Sequence, residues 1–356
     1  MGNELILVIN PGSTSTKVAL YDGPLERDMR TLTHGSEELK KYPAINDQLD
    51  FRRQAIVDYL IDKKVGLSDL AAIASRGGVV GRLESGAHLV DEAFVEASLN
   101  SPQNHVANLA PVIAYELARQ AGLKAYVYDP VCALGQPAEV LTLSGLPELP
   151  RPFLTHVLNS RAVSYEQAEN DGRELADTSY VVVHLGGGIT SNLIVGGRIL
   201  DIVADDEGTF SPERSGGLPA RYLAKLCYSG KYSEKEMTSL LKGKGGLMAY
   251  LGTNDLLEVE KLIEDGDSQA LMVYEAMAIQ IAKDIASLFP VVNGRVDKII
   301  LTGGLANSKH LTGLIRQRVE FLAPVSVIAG TFEMKALALG ILRVLRGQEE
   351  PHINIF

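Results

Sequence analysis

Small and polar residues are concentrated in two short turns, each lying between two apolar strands. The first turn spans residues 10–17, Asn-Pro-Gly-Ser-Thr-Ser-Thr-Lys, and the second spans 186–192, Gly-Gly-Gly-Ile-Thr-Ser-Asn. Glycine allows close approach to the backbone, and the N–H groups of such a turn can point at phosphate oxygens. Two such turns predict two halves of the protein that bind one nucleotide.

A third glycine turn, Gly303-Gly304, follows a later apolar strand. One glycine after a strand usually marks only a tight turn, so the prediction rests on the joint occurrence of Gly12, Gly186–Gly188 and this pair. No GxxxxGK[ST] run occurs, and Ser191 stands where a dinucleotide fingerprint requires glycine. The pattern therefore supports neither a P-loop nor a Rossmann nucleotide site.

Charged residues near these turns could complete a phosphate site. Asp129 follows an apolar strand and Glu333 precedes the last predicted helix, and Mg²⁺ prefers a few carboxylates with water and phosphate oxygens. Arg76 and Arg214 lie in glycine-containing loops, where a planar guanidinium suits anion capture. The plainer alternatives are a turn or helix cap for Asp129 and surface ion pairs for the arginines.

Other catalytic centres find little support in the residue types. Seven histidines are present, without an HExxH motif, and the two cysteines form no CxxC pair, so neither a zinc site nor a disulfide framework is predicted. The absence of a GxSxG run argues against covalent acyl chemistry. His156 and His184 stand near predicted strands or turns of the second half, either as functional groups or as ordinary core or surface histidines.

Strands alternate with helices along the chain, which indicates an α/β architecture. The predicted strands are 5–9, 18–21, 70–74, 125–128, 180–185, 193–195, 199–203 and 298–301. The predicted helices are 47–64, 108–121, 268–289 and 334–346. These elements must bring the turns and the charged residues together.

Length and composition predict a two-domain globular protein. A chain of 356 residues exceeds the usual size of one domain, and the proline-rich stretch 145–152 is the best boundary. We expect an N-terminal domain over 1–152, completed by a C-terminal helix within 334–356, and a C-terminal domain over 153–333. A net charge of −10 argues against nucleic acid as a partner. The chain has no apolar run near the ~18 residues of a membrane span and no secretory signal, which makes the cytoplasm the default expectation.

Several motifs resemble a known family. The two turns, together with Thr302-Gly303-Gly304, resemble the actin/hexokinase/Hsp70 nucleotide-binding fold. Within it, the runs 75–78, 205–216 and 333–340 resemble the acetate and butyrate kinases, and more closely the butyrate branch. The resemblance covers Ile6 to about Arg346. It implies two duplicated actin-like ATPase (ribonuclease H-like) α/β domains with a nucleotide cleft between them.

The resemblance also implies roles for individual residues. Around the transferring phosphate and metal it implies Asn10, Ser13, Ser15 and Lys17. It implies that Asp129 and Glu333 are magnesium ligands. It implies that Arg76 and Arg214 bind the substrate carboxylate and the phosphoryl group. It implies that His156 and His184 contact phosphate oxygens. It implies that the nucleotide phosphates are surrounded by Gly186, Gly187 and Gly188, and that the residues near adenosine are Gly303, Gly304 and Asn307. Asp206 and Thr209 depart from the Gly and Pro expected in the butyrate branch.

The implied reaction is reversible, ATP-dependent phosphorylation of a short-chain fatty acid, butyrate or a branched C4–C5 acid, to an acyl phosphate and ADP. A carboxylate is already an anionic nucleophile at neutral pH, so direct in-line transfer needs positive charge more than a general base. The cofactors would be ATP/ADP and Mg²⁺, and the family implies at least a homodimer. Three alternatives stay open: an acetate or propionate kinase, an actin- or Hsp70-like nucleotide-switched binding module, and a sugar kinase with Asp129 as base.

Overall fold

The computed structural model describes residues 4–103, 105–134, 138–354 and 356. The chain forms two compact units, one of Met1–Gln136 with Phe332–Phe356 and one of Pro137–Thr331. The strands are β1 Leu5–Pro11, β2 Ser15–Asp22, β3 Leu25–Thr33, β4 Ala72–Ser75, β5 Ala87–Leu89, β6 Ala125–Tyr128, β7 Ser179–Leu185, β8 Ile189–Val195, β9 Arg198–Val203, β10 Lys298–Gly303 and β11 Val325–Ala329. The α-helices are α1 Ser36–Leu39, α2 Leu49–Asp62, α3 Glu92–Leu99, α4 Leu109–Gln120, α5 Glu139–Thr142, α6 Val157–Asn170, α7 Ala220–Cys227, α8 Glu234–Leu241, α9 Leu247–Leu251, α10 Leu256–Glu264, α11 Ser268–Leu288, α12 Lys309–Val319 and α13 Glu333–Leu345.

The sheet of the first unit has the order β3-β2-β1-β4-β6-β5. β1 pairs antiparallel with β2 and parallel with β4, and β4 pairs parallel with β6. Every residue of β1 is buried, as expected for a nearly continuous apolar run in a central strand. The carboxyl ends of β1, β4 and β6 therefore lie at one edge of the sheet.

The C-terminal helix α13 packs on this first sheet. The backbone of Gly340 approaches β6 so closely that a Cβ atom there would lie 2.4 Å from the ring of Tyr128. Beyond the helix, the carboxylate of Glu349 accepts hydrogen bonds from the backbone N–H of Ala87 at 3.0 Å and from the hydroxyl of Tyr128 at 3.0 Å. These contacts tie the end of the chain to the N-terminal unit.

The second unit repeats the same strand pattern. Its sheet has the order β11-β10-β7-β8-β9, with β7, β8 and β9 antiparallel and β7, β10 and β11 parallel. The long helix α11 supplies buried residues at helical spacing, Tyr274, Met277, Ile281 and Ile285, to the core of this unit. The repeated hairpin followed by parallel strands is the duplication that the two glycine turns predict.

Residues 138–152 belong to the second unit, although the predicted boundary after residue 152 places them in the first domain. Arg151 explains this placement: its Nε lies 2.8 Å from Glu207 Oε1 and its Nη1 lies 3.0 Å from Asp201 Oδ1. Nη1 of Arg151 also donates a hydrogen bond to the carbonyl of Leu141 at 2.7 Å. The proline-rich composition of 145–152 indicates that no regular element forms there. It does not indicate which unit the segment belongs to.

Both predicted turns are shorter in the structure, which corrects their bounds. β1 extends to Pro11 and β2 begins at Ser15, so only residues 12–14 connect them. β8 begins at Ile189, which leaves 186–188 as the second turn. Cross-strand backbone hydrogen bonds continue into the polar residues, and a polar composition does not reveal this. Among the described residues, no helix combines the length and apolar character that crossing a bilayer requires.

Candidate functional site

The register of the first sheet brings Asn10 and Arg76 side by side. Ile9 pairs with Ser75 across the parallel strands β1 and β4, and the N–H of Arg76 donates to the carbonyl of Ile9 at 3.0 Å. Asn10 pairs with Lys17 of β2. Ser15 and Lys17 are two residues apart on β2, so their side chains share one face of the strand. The strand ends thus bring amide, hydroxyl and cationic groups together.

Glu333 joins these groups from the first turn of α13. Its Oε1 lies 2.6 Å from Nη1 of Arg76, and its Oε2 accepts a hydrogen bond from Nδ2 of Asn10 at 2.8 Å. Burial alone would raise the pKa of Glu333, but the charge of Arg76, the Asn10 amide and the charge of Lys17 outweigh it and hold the pKa below its ordinary value. Glu333 is therefore a carboxylate at neutral pH.

A cavity of about 620 Å³ opens beside these groups. Its polar lining includes the predicted residues Asn10, Ser13, Ser15, Lys17, Arg76 and Glu333, with Gly12, Gln48 and His105. Its apolar lining is Pro11, Ile45, Val106 and Ala107. Six residues that the sequence predicts around a phosphate or metal thus surround one space within the first unit.

Asp129 lies at the same edge of the sheet but does not line this cavity. It follows β6, which pairs parallel with β4, and its side chain is buried. Oδ1 accepts a hydrogen bond from the backbone N–H of Gly86 at 2.7 Å, and the residue adopts a left-handed backbone with φ of 42°. A non-glycine residue held in that region carries strain, and two bonds with Gly86 help to maintain it: this bond to the Asp129 side chain and the bond from the N–H of Asp129 to the carbonyl of Gly86 at 3.0 Å.

The lining of the cavity suits a magnesium–phosphate complex. Glu333 provides an ionised carboxylate, and Ser13 and Ser15 provide hydroxyl groups. Mg²⁺ commonly takes one or two protein carboxylates and fills its other sites with water and phosphate oxygens. In the part of the chain that the structure describes, no three His, Cys, Asp or Glu residues group as metal ligands, so an ion here would depend on the phosphate.

In the second unit, each glycine of the turn 186–188 lies against a side chain. A Cβ atom on Gly188 would lie 2.6 Å from Cζ of Arg214, and one on Gly187 would lie 3.0 Å from Oε1 of Glu213. The hydroxyl of Ser211 donates to the carbonyl of Gly187 at 2.5 Å. The glycines therefore make room for the Arg214 loop as well as for a ligand.

The same loop pairs Arg214 with an acidic residue. The Arg214 guanidinium forms an ion pair with Asp205, and burial lowers the pKa of Arg214, although an arginine remains charged at neutral pH. The N–H of Ser211 donates to the carbonyl of Arg214 at 3.0 Å, and the N–H of Gly217 donates to that of Gly208 at 2.8 Å. These bonds hold the arginine in place against Gly188.

His156 and His184 stack on each other, with ring centroids 4.0 Å apart and planes 14° apart. His156 lies at the N-terminus of α6, and its Nδ1 is 3.0 Å from the Thr190 hydroxyl. Nδ2 of Asn159 lies 3.0 Å from Nδ1 of His184. With the Asn159 amide assigned in this orientation, its nitrogen donates, so Nδ1 of His184 accepts and Nε2 carries the hydrogen. Because Nε2 lies against Gly186, 3.0 Å from where its Cβ would be, a donor stands beside the glycine turn.

Gly303, Gly304 and Asn307 lie at the end of β10, next to the same turn. Gly303 has φ of 91°, and a Cβ there would lie 2.3 Å from the carbonyl oxygen of Leu185. Only glycine fits such a close approach. The exposed Asn307 side chain donates to the carbonyl of Gly304 at 2.8 Å. Of the predicted residues, this unit therefore collects His156, His184, Gly186–Gly188, Arg214, Gly303, Gly304 and Asn307.

Comparison with known proteins identifies the family. Residues 151–326 match the Acetokinase family. Butyrate kinase 2 of Clostridium acetobutylicum is 42% identical over 348 residues, which cover 97% of this chain and 98% of that protein. Probable butyrate kinase 2 of Caldanaerobacter subterraneus subsp. tengcongensis is 45% identical over 350 residues, 98% of this chain and 99% of that protein. This chain belongs to the acetokinase family.

Solved structures agree on the fold of this acetokinase chain. The acetate kinase of Porphyromonas gingivalis covers 96% of the chain over 100% of its own length, with a TM-score of 0.81 and 20% identity. A propionate kinase from Francisella tularensis covers 95% over 98% of its length, with a TM-score of 0.75 and 20% identity. The family resemblance and the duplicated actin-like α/β fold class inferred from the sequence are confirmed.

Three residues of this acetokinase chain that support the site were not predicted from the sequence: Arg52, Asn159 and Asp284. A signal existed for Arg52, because it stands on the apolar face of α2 with Ile56, Tyr59 and Leu60. Asn159 lies 3 residues after His156, on the helix that this histidine begins. Asp284 carries no local signal, since its partner in the Arg214 loop lies 75 positions away.

Asp284 of α11 anchors the Arg214 loop of this acetokinase. Its Oδ2 accepts a hydrogen bond from the N–H of Thr209 at 2.7 Å, a bond that a proline at 209 could not make. Burial raises the pKa of Asp284 to about 6, and the Thr209 N–H only partly opposes the shift. A carboxyl whose pKa is higher in the folded than in the unfolded chain stabilises the fold at low pH, and this contribution is lost as the pH rises through about 6.

Replacing Asp284 by asparagine is therefore expected to alter the pH dependence of stability. Between pH 4 and 7.5 the variant should gain on the order of 2–3 kcal/mol in free energy of unfolding relative to the natural protein, because its side chain never ionises. Urea denaturation at a series of pH values measures this difference. Asp206→Asn, at an exposed position of the same loop, is the control and should show no such slope. A pH-independent difference for Asp284→Asn would contradict the prediction.

Proposed function

We propose that this protein is a short-chain fatty acid kinase that transfers the γ-phosphoryl group of ATP to butyrate or a branched C4–C5 acid. The observation that carries the proposal is the cavity of the first unit, which joins a cationic and hydroxyl-rich lining to an apolar one. Arg76 offers positive charge to a carboxylate, while Ile45, Val106 and Ala107 offer an aliphatic surface. A short carboxylic acid has both kinds of group.

The names of the relatives support the choice of acid. Two of the proteins that match nearly the whole chain, at 42% and 40% identity, are called butyrate kinases. The acetate and propionate kinases among the solved structures are only 20% identical and support the fold alone. An additional methylene in an apolar pocket changes the free energy of binding by only ~1–3 kcal/mol, so the chain length of the preferred acid must be measured.

The mechanism requires little from the acid itself. Its carboxylate attacks the γ-phosphorus directly, ADP leaves, and no side chain has to remove a proton. Charge repulsion between the anionic reactants is the main barrier, and preorganised cations and hydrogen-bond donors lower it. We assign Arg76 and Arg214 to the carboxylate and the phosphoryl group, and Asn10 and His156 to the oxygens of the transferring phosphoryl group.

The remaining roles concern the nucleotide. Ser13, Ser15 and Lys17 would bind the transferring phosphate. The Nε2–H of His184 and the backbone of Gly186–Gly188 would donate to the phosphates of ATP, and Gly303, Gly304 and Asn307 would lie near adenosine. His184 is buried and held by Asn159 and the ring of His156, so this donor needs little reorganisation when charge develops.

Glu333 would hold magnesium, and Asp129 is retained as a candidate second ligand. When bound, the ion would neutralise charge on the phosphate oxygens. Asn10 and Arg76 orient the Glu333 carboxylate through contacts of 2.8 and 2.6 Å. The family resemblance supports one further part of the proposal, a homo-oligomeric state, and we also propose a cytoplasmic location.

A hydroxylamine trap tests the function, because hydroxylamine converts an acyl phosphate into a coloured hydroxamate. With MgATP and acetate, propionate, butyrate, isobutyrate or valerate, we expect the highest kcat/KM with a C4 or C5 acid, about tenfold or more above acetate. Reactions without acid and without ATP are the blanks. A maximum with acetate would identify an acetate kinase instead.

Two other outcomes would reject the proposal. A protein that binds ATP but forms no hydroxamate with any acid would be a nucleotide-switched binding module or a sugar kinase. A coupled assay that monitors ADP separates these two, because a sugar kinase releases ADP when a sugar is added. If the protein is a sugar kinase, Asp129→Asn tests whether Asp129 is its base, because a sugar kinase needs a carboxylate base at a strand end.

A further inference from the structure

Arg52 is buried within the apolar face of α2, with 0% of its surface exposed. Its neighbours on that face are Ile56, Tyr59 and Leu60. A buried charge destabilises the folded chain unless hydrogen bonds replace its hydration. The partners of the guanidinium therefore indicate why an arginine occupies a core position.

The guanidinium of Arg52 binds the turn between β1 and β2. It donates to neutral acceptors only: Nε to Gln48 Oε1 at 3.0 Å, Nη1 to the carbonyls of Gly12 and Ser15 at 3.0 and 3.1 Å and to Thr16 Oγ1 at 3.0 Å, and Nη2 to the carbonyl of Ser13 at 3.1 Å. Within the described part of the chain, its bonds involve no carboxylate. Burial lowers the pKa of Arg52 to about 10, so the group remains charged at neutral pH.

These bonds determine where the N–H groups of the turn point. In a planar trans peptide, the carbonyl of one residue and the N–H of the next point in opposite directions. The carbonyls of Gly12 and Ser13 point at Arg52, so the N–H groups of Ser13 and Thr14 point away from it. Neither N–H donates to another group in the residues that the structure describes. Gly12 and Ser13 also line the cavity described above.

We infer that Arg52 is a positioning residue that orients the turn 12–14 so that its N–H groups and the hydroxyls of Ser13 and Ser15 bind the transferring phosphoryl group. The inference rests on the proposed phosphotransfer function, and Arg52 itself does not touch the reactants. The rigid fork of a guanidinium can bind several carbonyls of one turn simultaneously, whereas the ammonium of a lysine is a single point. Arginine and lysine are therefore not equivalent at this position.

Nucleotide binding by calorimetry tests the inference independently of the acid. The probes are MgADP and Mg-AMPPNP, which differ in the γ-phosphate. We expect the natural protein to bind AMPPNP more tightly than ADP. Arg52→Lys should lose about tenfold in affinity for AMPPNP and less than about threefold for ADP, since only the γ-phosphate needs the turn. The acid-dependent kcat should fall by about 10²-fold, because a small misplacement of binding groups has that effect.

Controls separate positioning from folding. Arg53→Ala on the same helix removes a partly exposed guanidinium that pairs with Asp50 and Glu116, and it should leave both affinities unchanged. Arg52→Ala should regain AMPPNP binding when millimolar guanidinium ion is added, which keeps the test decisive if the lysine variant folds poorly.

Several results would overturn the inference. These are equal losses for both nucleotides, no loss at all, or a natural protein that does not discriminate between AMPPNP and ADP. A selective AMPPNP loss in a protein that forms no acyl phosphate would reject the proposed function while supporting the role of Arg52.

Discussion

Replacing Arg76 by alanine is expected to lower kcat/KM for the carboxylic acid by about 10²–10³-fold or more, the usual effect of removing one preorganised stabilising donor. Two effects combine. The variant loses the cation that we assign to the anionic reactants, and it leaves the Glu333 carboxylate without its partner at 2.6 Å. An uncompensated negative charge in the cavity would repel both anionic substrates, while the fold should persist. The hydroxamate assay, with circular dichroism as a check on folding, measures the effect.

A conservative variant separates the two contributions and leaves Glu333 in place. If Arg76 only neutralises Glu333, then Arg76→Lys, which keeps a cation at this position, should retain most of the activity. If the planar guanidinium binds the reactants, as we propose, Arg76→Lys should be nearly as inactive as Arg76→Ala. Arg82→Ala, at an exposed position of the same loop, is the matched control and should keep full activity. Full activity of Arg76→Ala would reject the assignment of this residue to the reaction.

Replacing Gly188 by alanine is expected to lower turnover by about 10²-fold without unfolding the protein. The new methyl group would lie 2.6 Å from both Cζ and Nη1 of Arg214, a separation that real contacts do not show. The guanidinium is the mobile end of a long side chain, so it moves away and the free energy of unfolding changes little. Its ion pair with Asp205 is lost, together with the position from which we propose that it binds the reactants. Steady-state kinetics measure the loss of turnover, and thermal melting shows whether the stability of the fold has changed.

Non-additivity provides the sharper test of this explanation. If Gly188→Ala acts by displacing Arg214, then Gly188→Ala combined with Arg214→Ala should be no slower than Arg214→Ala alone. Gly313→Ala in α12 is the matched control, since a Cβ atom there meets nothing within 4 Å, and it should leave turnover unchanged. Losses that multiply in the double variant would show that Gly188 acts on the nucleotide independently of Arg214.

Local patterns were sufficient to predict the duplicated architecture of the chain. Strands β1 and β7 are continuous apolar runs that end in glycine-containing turns, and helix α11 shows an apolar stripe at helical spacing. Such signals depend on residues a few positions apart, which the backbone geometry of strands and helices relates directly. The bounds of the turns were less predictable, because Ser15 and Lys17 are polar residues that strand pairing incorporates into β2.

The contacts within the candidate site depend on residues far apart in the chain. Glu333 meets Arg76 and Asn10 across separations of 257 and 323 residues, and only the return of α13 to the first sheet brings them together. The sequence predicted Glu333 as a metal ligand through its family motif, but not that an arginine and an amide already bind both of its oxygens. Periodicity cannot report such pairings because it contains no information on which distant elements pack.

The residue types and spacing by themselves determined two strand–turn–strand halves and predicted a phosphate-binding chemistry. The resemblance of the motifs pointed to the acetokinase family, which the relatives confirm. The tertiary structure alone decided that Arg52 lies beneath the first turn, that Arg214 packs on Gly188, and that Asp129 is buried outside the cavity lining. The physical reason is that a turn or a strand follows from neighbouring residues. The direction of an N–H group or the burial of a charge follows from packing between elements that the sequence separates.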